Sequence, residues 1–589
     1  MYCKRTKAPF VNTILILLLI AGLEGCSERR PETVERLGVM PIENLTSDVQ
    51  LNWRSRAGAA VVGYDLAGAK NIFASPVDSV SAAQSMHASR LLEGYFFERN
   101  GRIVIRANVE NLAKTKVVES IELEGAEPAG FLPLVNELAK RLRPDARMFG
   151  TSNENAFRFY GEAMAAKQPR DVEQALEGAT QADPGFAAAY VDEVTVLAET
   201  GDRERARQIA RAGEAARLDG MDRDNLEFAA ATANGDGAEQ MKALERLAVA
   251  SPADANVFTK LAGMRYARRE FQGAAEEYRA AARLDPDDPQ IWNELGYALA
   301  WAKDLNGARE ALSQYRKLAP EDANALDSEG EVSYMLGDFK SADEYFQRAA
   351  EKNPSEFVKA AEARLTMGDV KGADALFAKR FGAGARGHNG GADYQMAQWE
   401  YLSGKRNEGM ARMEKLAQKG SGDLQALALD QLSIWKLDSG ESKAAVELAN
   451  EAAMRAQSPQ ARGVSALCQQ IASGSTGSGS KMTDAAALLF ANKLREAIPL
   501  LQAVYRDTSP AADGQVRTLL AWTYVQTGAI DQAAPLLDIY PLPLSSGDPL
   551  IASVILERYR YARGKVQAKV QPIVQPIVQR RHDPASTTK

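Results

Sequence analysis

Residues 289–322 read PQIWNELGYALAWAKDLNGAREALSQYRKLAPED, and this stretch decides the fold. Trp292, Leu295 and Gly296 stand in its first half, Ala308 and Leu312 in its second, and Pro320 near its end. Working outward, prolines stand at 252, 286, 320 and 354, each 34 residues after the last. Ala274, Ala308 and Ala342 keep the same step, as do Tyr278, Leu312 and Phe346, and Ala262, Gly296 and Gly330. A fixed period of this length marks stacked helix–turn–helix units. Small residues let two paired helices approach, the bulky residue plugs the space between them, and the proline, which cannot continue a helix, separates units. The expected fold is an α-helical solenoid, whose inner surface binds other molecules.

The unit at 289–322 resembles the tetratricopeptide repeat (TPR), with Tyr315 standing where that family usually has a small residue. Repeats are expected over 153–471, and again in 483–562 beyond the Gly/Ser-rich stretch 472–482 (ASGSTGSGS through Ser480), read as a linker by composition. In the family, positions 2, 5, 9 and 12 of a repeat often contact ligand. The resemblance therefore implies a partner-binding set of Asn256, Thr259 and Tyr266, then Gln290, Asn293 and Tyr297, then Asn324, Asp327, Glu331 and Tyr334. The tyrosines offer aromatic anchors with a hydrogen-bonding end. No Lys/Arg clamp for a peptide carboxylate terminus is among them.

Ahead of the repeats, residues 36–145 read as a small α/β domain of order β-α-β-α-β-β-β-α. Leu37–Ile42 is a strand, Glu43-Asn44-Leu45 a turn, and Asn100-Gly101 the turn of a hairpin. The run Val39-Met40-Pro41-Ile42-Glu43-Asn44-Leu45 and the later Leu91-Leu92-Glu93-Gly94-Tyr95-Phe96 resemble the TolB-type N-terminal domain. That domain precedes TPRs in many bacterial proteins.

The first 25 residues carry basic Lys4, Arg5 and Lys7 and an apolar run, Val11 to Leu23, too short for a comfortable span. They end in Leu23-Glu24-Gly25-Cys26, which resembles a bacterial lipoprotein signal. The resemblance implies cleavage before Cys26, lipidation of that residue (a palmitate-type anchor), a tether over 26–35 and, with Ser27 next, outer-membrane sorting. Cys3 and Cys468 are the other cysteines, so the cleaved, lipidated chain has no internal disulfide to form. The tail over 563–589 is basic, rich in Pro and Gln, and expected to be disordered.

The chain has 589 residues, 45% hydrophobic and 25% charged, with a net charge of −7. Several domains or a long array are expected, and the acidic balance argues against nucleic acid as a partner. No catalytic constellation, metal site or cofactor is expected. His87, His388 and His582 lack metal-ligand spacing. Gly382–Gly387 fits GxGxxG without the strand-then-helix context of a dinucleotide site and reads as a loop between repeats. Cys468 reads as part of a buried helical face. The expected function is a membrane-anchored envelope scaffold that binds proteins on its inner face. A signalling module acting through a separate effector, and a small-ligand protein using the α/β domain, are the alternatives.

Overall fold

The computed structural model describes residues 34–126, 130–216, 218, 220–381, 390–540 and 549–570. The signal, Cys26, the GxGxxG loop, His388, His582 and the chain beyond 570 lie outside the described residues. The chain divides into two compact units. One runs to Leu261 and adds Arg279–Asp287; the other comprises Ala262–Tyr278 and the chain from Asp288 onward.

The first unit opens with a sheet and three helices. These are β1 (Glu35–Val39), β2 (Glu43–Asn44), α1 (Trp53–Leu66), β3 (Ile72–Pro76), α2 (Val80–Ser85), β4 (Arg90–Arg99), β5 (Arg102–Asn111), β6 (Lys116–Ala126) and α3 (Phe131–Leu142). The strand order is β3-β1-β4-β5-β6. β1 pairs in parallel with β3 and β4, while β4, β5 and β6 form an antiparallel meander. The residues read as a turn, Glu43-Asn44, instead make a two-residue strand parallel to β4. Asn100 and Gly101 both have positive φ, as a two-residue hairpin with right-handed strand twist requires. Val104 is buried as fully as Ile103 and Ile105, although it stands on the opposite face of β5, so the expected single buried face is not what the strand shows.

Helix pairs follow: α4 (Glu154–Ala165) with α5 (Pro169–Ala182), α6 (Ala187–Glu199) with α7 (Arg203–Ala215), and α8 (Gly220–Asn234) with α9 (Gly237–Ala250). One apolar core runs from Leu37 of the sheet to Ala189 of α6. Trp53 of α1 meets Phe157 of α4 edge-on at 5.1 Å, so the sheet and the first helix pairs are packed as one body.

α10 (Ala255–Ala267) and α11 (Phe271–Leu284) contribute to both units. The second unit continues with α12 (Pro289–Trp301), α13 (Leu305–Leu318), α14 (Ala323–Met335), α15 (Phe339–Ala350), α16 (Phe357–Thr366) and α17 (Val370–Lys379). First helices thus begin at 255, 289, 323 and 357, each shortly after its proline. The small-against-bulky pattern is a steric fit: a β-carbon on Gly296 would lie 2.6 Å from Leu312 Cδ2, and one on Gly330 2.6 Å from the Phe346 ring. The turn inside each pair needs a left-handed residue. Arg269, Lys303 and Gly337 fill it at φ of 65°, 65° and 86°.

The remaining helices are α18 (Gly390–Leu402), α19 (Arg406–Lys419), α20 (Asp423–Asp438), α21 (Ser442–Arg455), α22 (Pro459–Ser473), α23 (Lys481–Phe490), α24 (Leu494–Asp507), α25 (Gly514–Gln526), α26 (Ile530–Ala533) and α27 (Pro549–Val570). The stretch read as a linker is a short connection held by Asp484, whose carboxylate accepts from the backbone N–H groups of Gly477 and Ser478. α22 packs on α23, and one apolar core extends from Tyr334 to Val566. α27 reaches Val570, into the stretch read as a disordered tail, because Ala562 and Val566 extend its buried stripe from Ile555 and Tyr559. Among the described residues no helix is long and apolar enough to cross a membrane.

Candidate binding surface

α12 and α14 start one repeat apart, so equal positions stand side by side. Tyr297 and Glu331, both at position 9, are joined directly: the Tyr297 hydroxyl donates to Glu331 Oε2 at 2.6 Å. Position 5 of α14, Asp327, accepts from Lys359 Nζ of α16 at 2.7 Å. Lys359 also lies 2.9 Å from Glu331 and 3.0 Å from Glu356. One ammonium is therefore shared by three carboxylates. Burial pushes the Asp327 carboxyl up to about 7, with the Glu331 charge adding to the rise. Burial pulls the Lys359 ammonium down, but Glu331 and Asp327 together outweigh it and hold it above its ordinary value.

The other expected partner residues divide by exposure. Gln290 is exposed and its amide donates to Glu294 at 2.8 Å. Asn324 is exposed and donates to the Tyr315 hydroxyl, which itself donates to Asp322. Tyr315, the departure from the family pattern, thus ties its helix to the start of the next unit. Asn293 is buried. Asn256 and Thr259 fall in the first unit; Asn256 is exposed, and the Thr259 hydroxyl donates to the Ala255 carbonyl of its own helix.

The tyrosines are not free anchors. Tyr334 is 3% exposed, its hydroxyl pairs with Thr366 at 3.0 Å, and its ring meets Phe339 and Tyr540. Tyr266 packs edge-on against Phe271, which stacks on Trp301. What covers this face is the chain's own segment 510–540. Arg269 pairs with the buried Asp513 at 2.7 Å and donates to the Tyr505 and Thr508 carbonyls. Arg517 donates to Asp513, Leu536 O and Ile539 O, and its guanidinium lies 5.1 Å from the Trp301 ring centre. The Tyr540 N–H donates to the Met335 carbonyl. Between the inner helices and this segment remains a cavity of about 270 Å³, walled by Tyr266, Tyr297, Trp301, Glu294 and Glu331 on one side and by Asp513, Arg517 and Tyr540 on the other.

Of the residues expected on the partner-binding face, Tyr266, Tyr297 and Glu331 line this cavity. Sequence reasoning did not single out Glu294, Trp301, Asp513, Arg517 or Tyr540. Glu294 and Trp301 are off the family's contact positions, and the other three lie outside the regular period, so no local signal marks them. Elsewhere, Cys468 is fully buried and its thiol donates to the Asp430 carbonyl, as a structural cysteine does. His87 Nδ1 lies 3.2 Å from Asp285 Oδ2, which also pairs with Arg36.

A family model described as a TPR repeat matches residues 264–300. A TPR repeat-containing protein of Pseudomonas aeruginosa is 28% identical over 199 residues, covering 33% of this chain and 34% of that protein. The BBSome complex member BBS4 of Xenopus tropicalis is 27% identical over 116 residues, covering 20% of this chain and 22% of that protein. The match spans about a third or less of each relative. Of solved structures, the C-terminal part of a TPR repeat-containing protein from Cytophaga hutchinsonii is 14% identical, covers 37% of this chain and 92% of its own, and has a TM-score of 0.33. A crystal structure of MamA protein is 19% identical, covers 26% and 86%, and has a TM-score of 0.25. The TPR model matching residues 264–300 falls within the paired helices that the 34-residue step produces, so this part of the chain is similar to a tetratricopeptide repeat.

Proposed function

We propose that this chain is a non-enzymatic scaffold of the bacterial cell envelope, lipid-anchored at Cys26 with a TolB-like domain at its start, that binds a protein partner on the inner helices α12 and α14 of the second unit. TPR proteins generally mediate protein–protein interactions. The observation that carries the reading here is the side-by-side placement of equal repeat positions, which lines α12 and α14 with Gln290, Tyr297, Asn324 and Glu331. The lipoprotein-like start supports membrane attachment, and its sequence pattern favours the outer membrane. The acidic chain favours a protein over nucleic acid. Assembly, secretion and polysaccharide-export systems are the settings to examine.

In-cell crosslinking and pull-down would test this, comparing the wild type with Gln290→Arg/Asn324→Arg. Both residues are exposed, and circular dichroism of the purified variant checks that it folds despite losing the Asn324–Tyr315 bond. A partner captured by the wild type and lost in the variant supports the reading. Capture that is indifferent to both substitutions, or no partner at all, sinks the inner-face assignment.

A second reading has one observation behind it. The first unit holds a cavity of about 590 Å³ between α3 and the start of α4. On its wall is the buried Asn136, whose Oδ1 has no hydrogen-bond partner. This is the place for a small ligand, and native mass spectrometry of the purified chain would detect one retained there.

A further inference from the structure

We propose that the cavity of the second unit is a binding site for an organic cation, a guanidinium or ammonium group on a short stem, held by the Glu294 carboxylate beside the rings of Tyr266 and Tyr297. Three observations carry this.

The first is size. A volume of about 270 Å³ falls below the roughly 300–1,000 Å³ of sites for drug-sized ligands, and suits one side chain or a small amine.

The second is charge. The Arg517 guanidinium that lines the cavity is committed to Asp513 and to the Leu536 and Ile539 carbonyls. The Glu331 charge is held by Lys359 and by the Tyr297 hydroxyl. Glu294 is different. Its partner is the neutral Gln290 amide, and among the described residues it forms no ion pair. A carboxylate drawn out of water beside aromatic faces gains most from a cation that also meets those faces.

The third is a worked example inside the molecule: Arg517 already lies over the Trp301 ring at 5.1 Å. The wall thus accommodates a guanidinium at Trp301, a ring already taken by Arg517 and the stacked Phe271, so the aromatic lining for a bound cation is Tyr266 and Tyr297.

The natural source of such a group, given the partner-binding reading on which this inference rests, is a Lys or Arg side chain of the bound protein. A free amine offers the same chemistry, so the test must separate the two. The probes are N-acetyl-arginine amide, its neutral isostere N-acetyl-citrulline amide, and the tripeptide acetyl-Gly-Arg-Gly-amide, titrated calorimetrically into the full chain. The expected result is saturable binding of the arginine probe with a Kd near or below about 1 mM, at least about tenfold weaker binding of citrulline, and weakening by added salt. Glu294→Gln should lose about tenfold, while Glu310→Gln, an exposed control on α13, should lose nothing.

Tighter binding of the tripeptide than of the amide assigns the site to a peptide; equal binding assigns it to a small cation. Citrulline matching arginine, Glu294→Gln matching the wild type with its circular dichroism intact, or no saturable binding by the wild type would each overturn the inference. Partner capture retained by Glu294→Gln would remove the cation specificity and leave the scaffold reading standing.

Discussion

The Tyr297 hydroxyl donates to the Glu331 carboxylate at 2.6 Å across one repeat. Two residues at the same ligand-contact position of successive units thus contact each other. The bond is part of the wall of the inner face, and both groups still line the cavity. Burial, together with the Glu331 charge, drives the Tyr297 phenol well above its ordinary pKa, so it remains a donor across the physiological range. Tyr297→Phe should lower stability by about 1.5–3 kcal/mol, the cost of a hydrogen bond to a charged acceptor. A urea titration of the two proteins measures it.

Gly330 and Gly263 make a contrasting pair. A β-carbon at Gly330 would run into the Phe346 ring at 2.6 Å, whereas one at Gly263 would meet only the Tyr278 hydroxyl oxygen at 3.7 Å. Gly330→Ala should destabilise by about 1–3 kcal/mol through overpacking, and Phe346→Leu in the same chain should restore part of the loss. Gly263→Ala should be neutral or stabilise by up to about 1 kcal/mol, the helix-propensity gain. Thermal melts of the set separate the two cases.

The left-handed turn position offers a second contrast. Lys303 and Arg269 share a φ of 65° that glycine adopts without strain. Lys303 has one exposed ion pair, to Asp538, worth at most about 1 kcal/mol. Lys303→Gly should therefore be neutral to stabilising. Arg269→Gly removes the cation and donors that serve Asp513, Tyr505 O and Thr508 O. It should cost about 1–3 kcal/mol despite the relieved backbone, and Asp513→Asn should recover part of that. Denaturation midpoints of the two glycine variants should move in opposite directions or differ by that amount.

Burial pushes the Asp65 carboxyl up to about 7, only partly opposed by Arg147 and Lys140. Neither of its carboxylate oxygens has a hydrogen-bond partner. The folded chain keeps this proton in a range where the unfolded chain, with a value of about 3.9, has released it. The stabilisation is fully present below about pH 4 and is lost as pH rises toward 7. Asp65→Asn should match the wild type near pH 4 and melt at a higher temperature at pH 8. A melting-temperature difference that stays constant with pH would show that the proton is not held.

Much of the fold could be read along the chain because a repeat is local. Each pair forms within 34 residues, so proline spacing, Ala308 against Leu312, and Gly330 against Phe346 fix the helices and their contacts without reference to distant chain. The β4–β5 hairpin was legible for the same reason, since Asn100-Gly101 closes it between neighbours in sequence; the parallel placement of β1 between β3 and β4 was not, because those strands are not adjacent along the chain. The inner-face positions on α12 and α14 came instead from the resemblance to the TPR family.

The sequence by itself determined the helix pairs and their register, and the resemblance to the TPR family pointed to the face that carries Tyr266, Tyr297 and Glu331. Only the tertiary structure decided that Tyr334 is buried, that the inner face is partly covered, and that Glu294 stands at a cavity. Those outcomes depend on residues 510–540 returning to α12 and α14, with Arg269 meeting Asp513 across 244 positions of chain. Such a contact is set by where α25 and the residues flanking it find buried partners for Asp513, Arg517 and Tyr540. No period or motif encodes it, because the free energy that fixes it is gained only once both partners are folded.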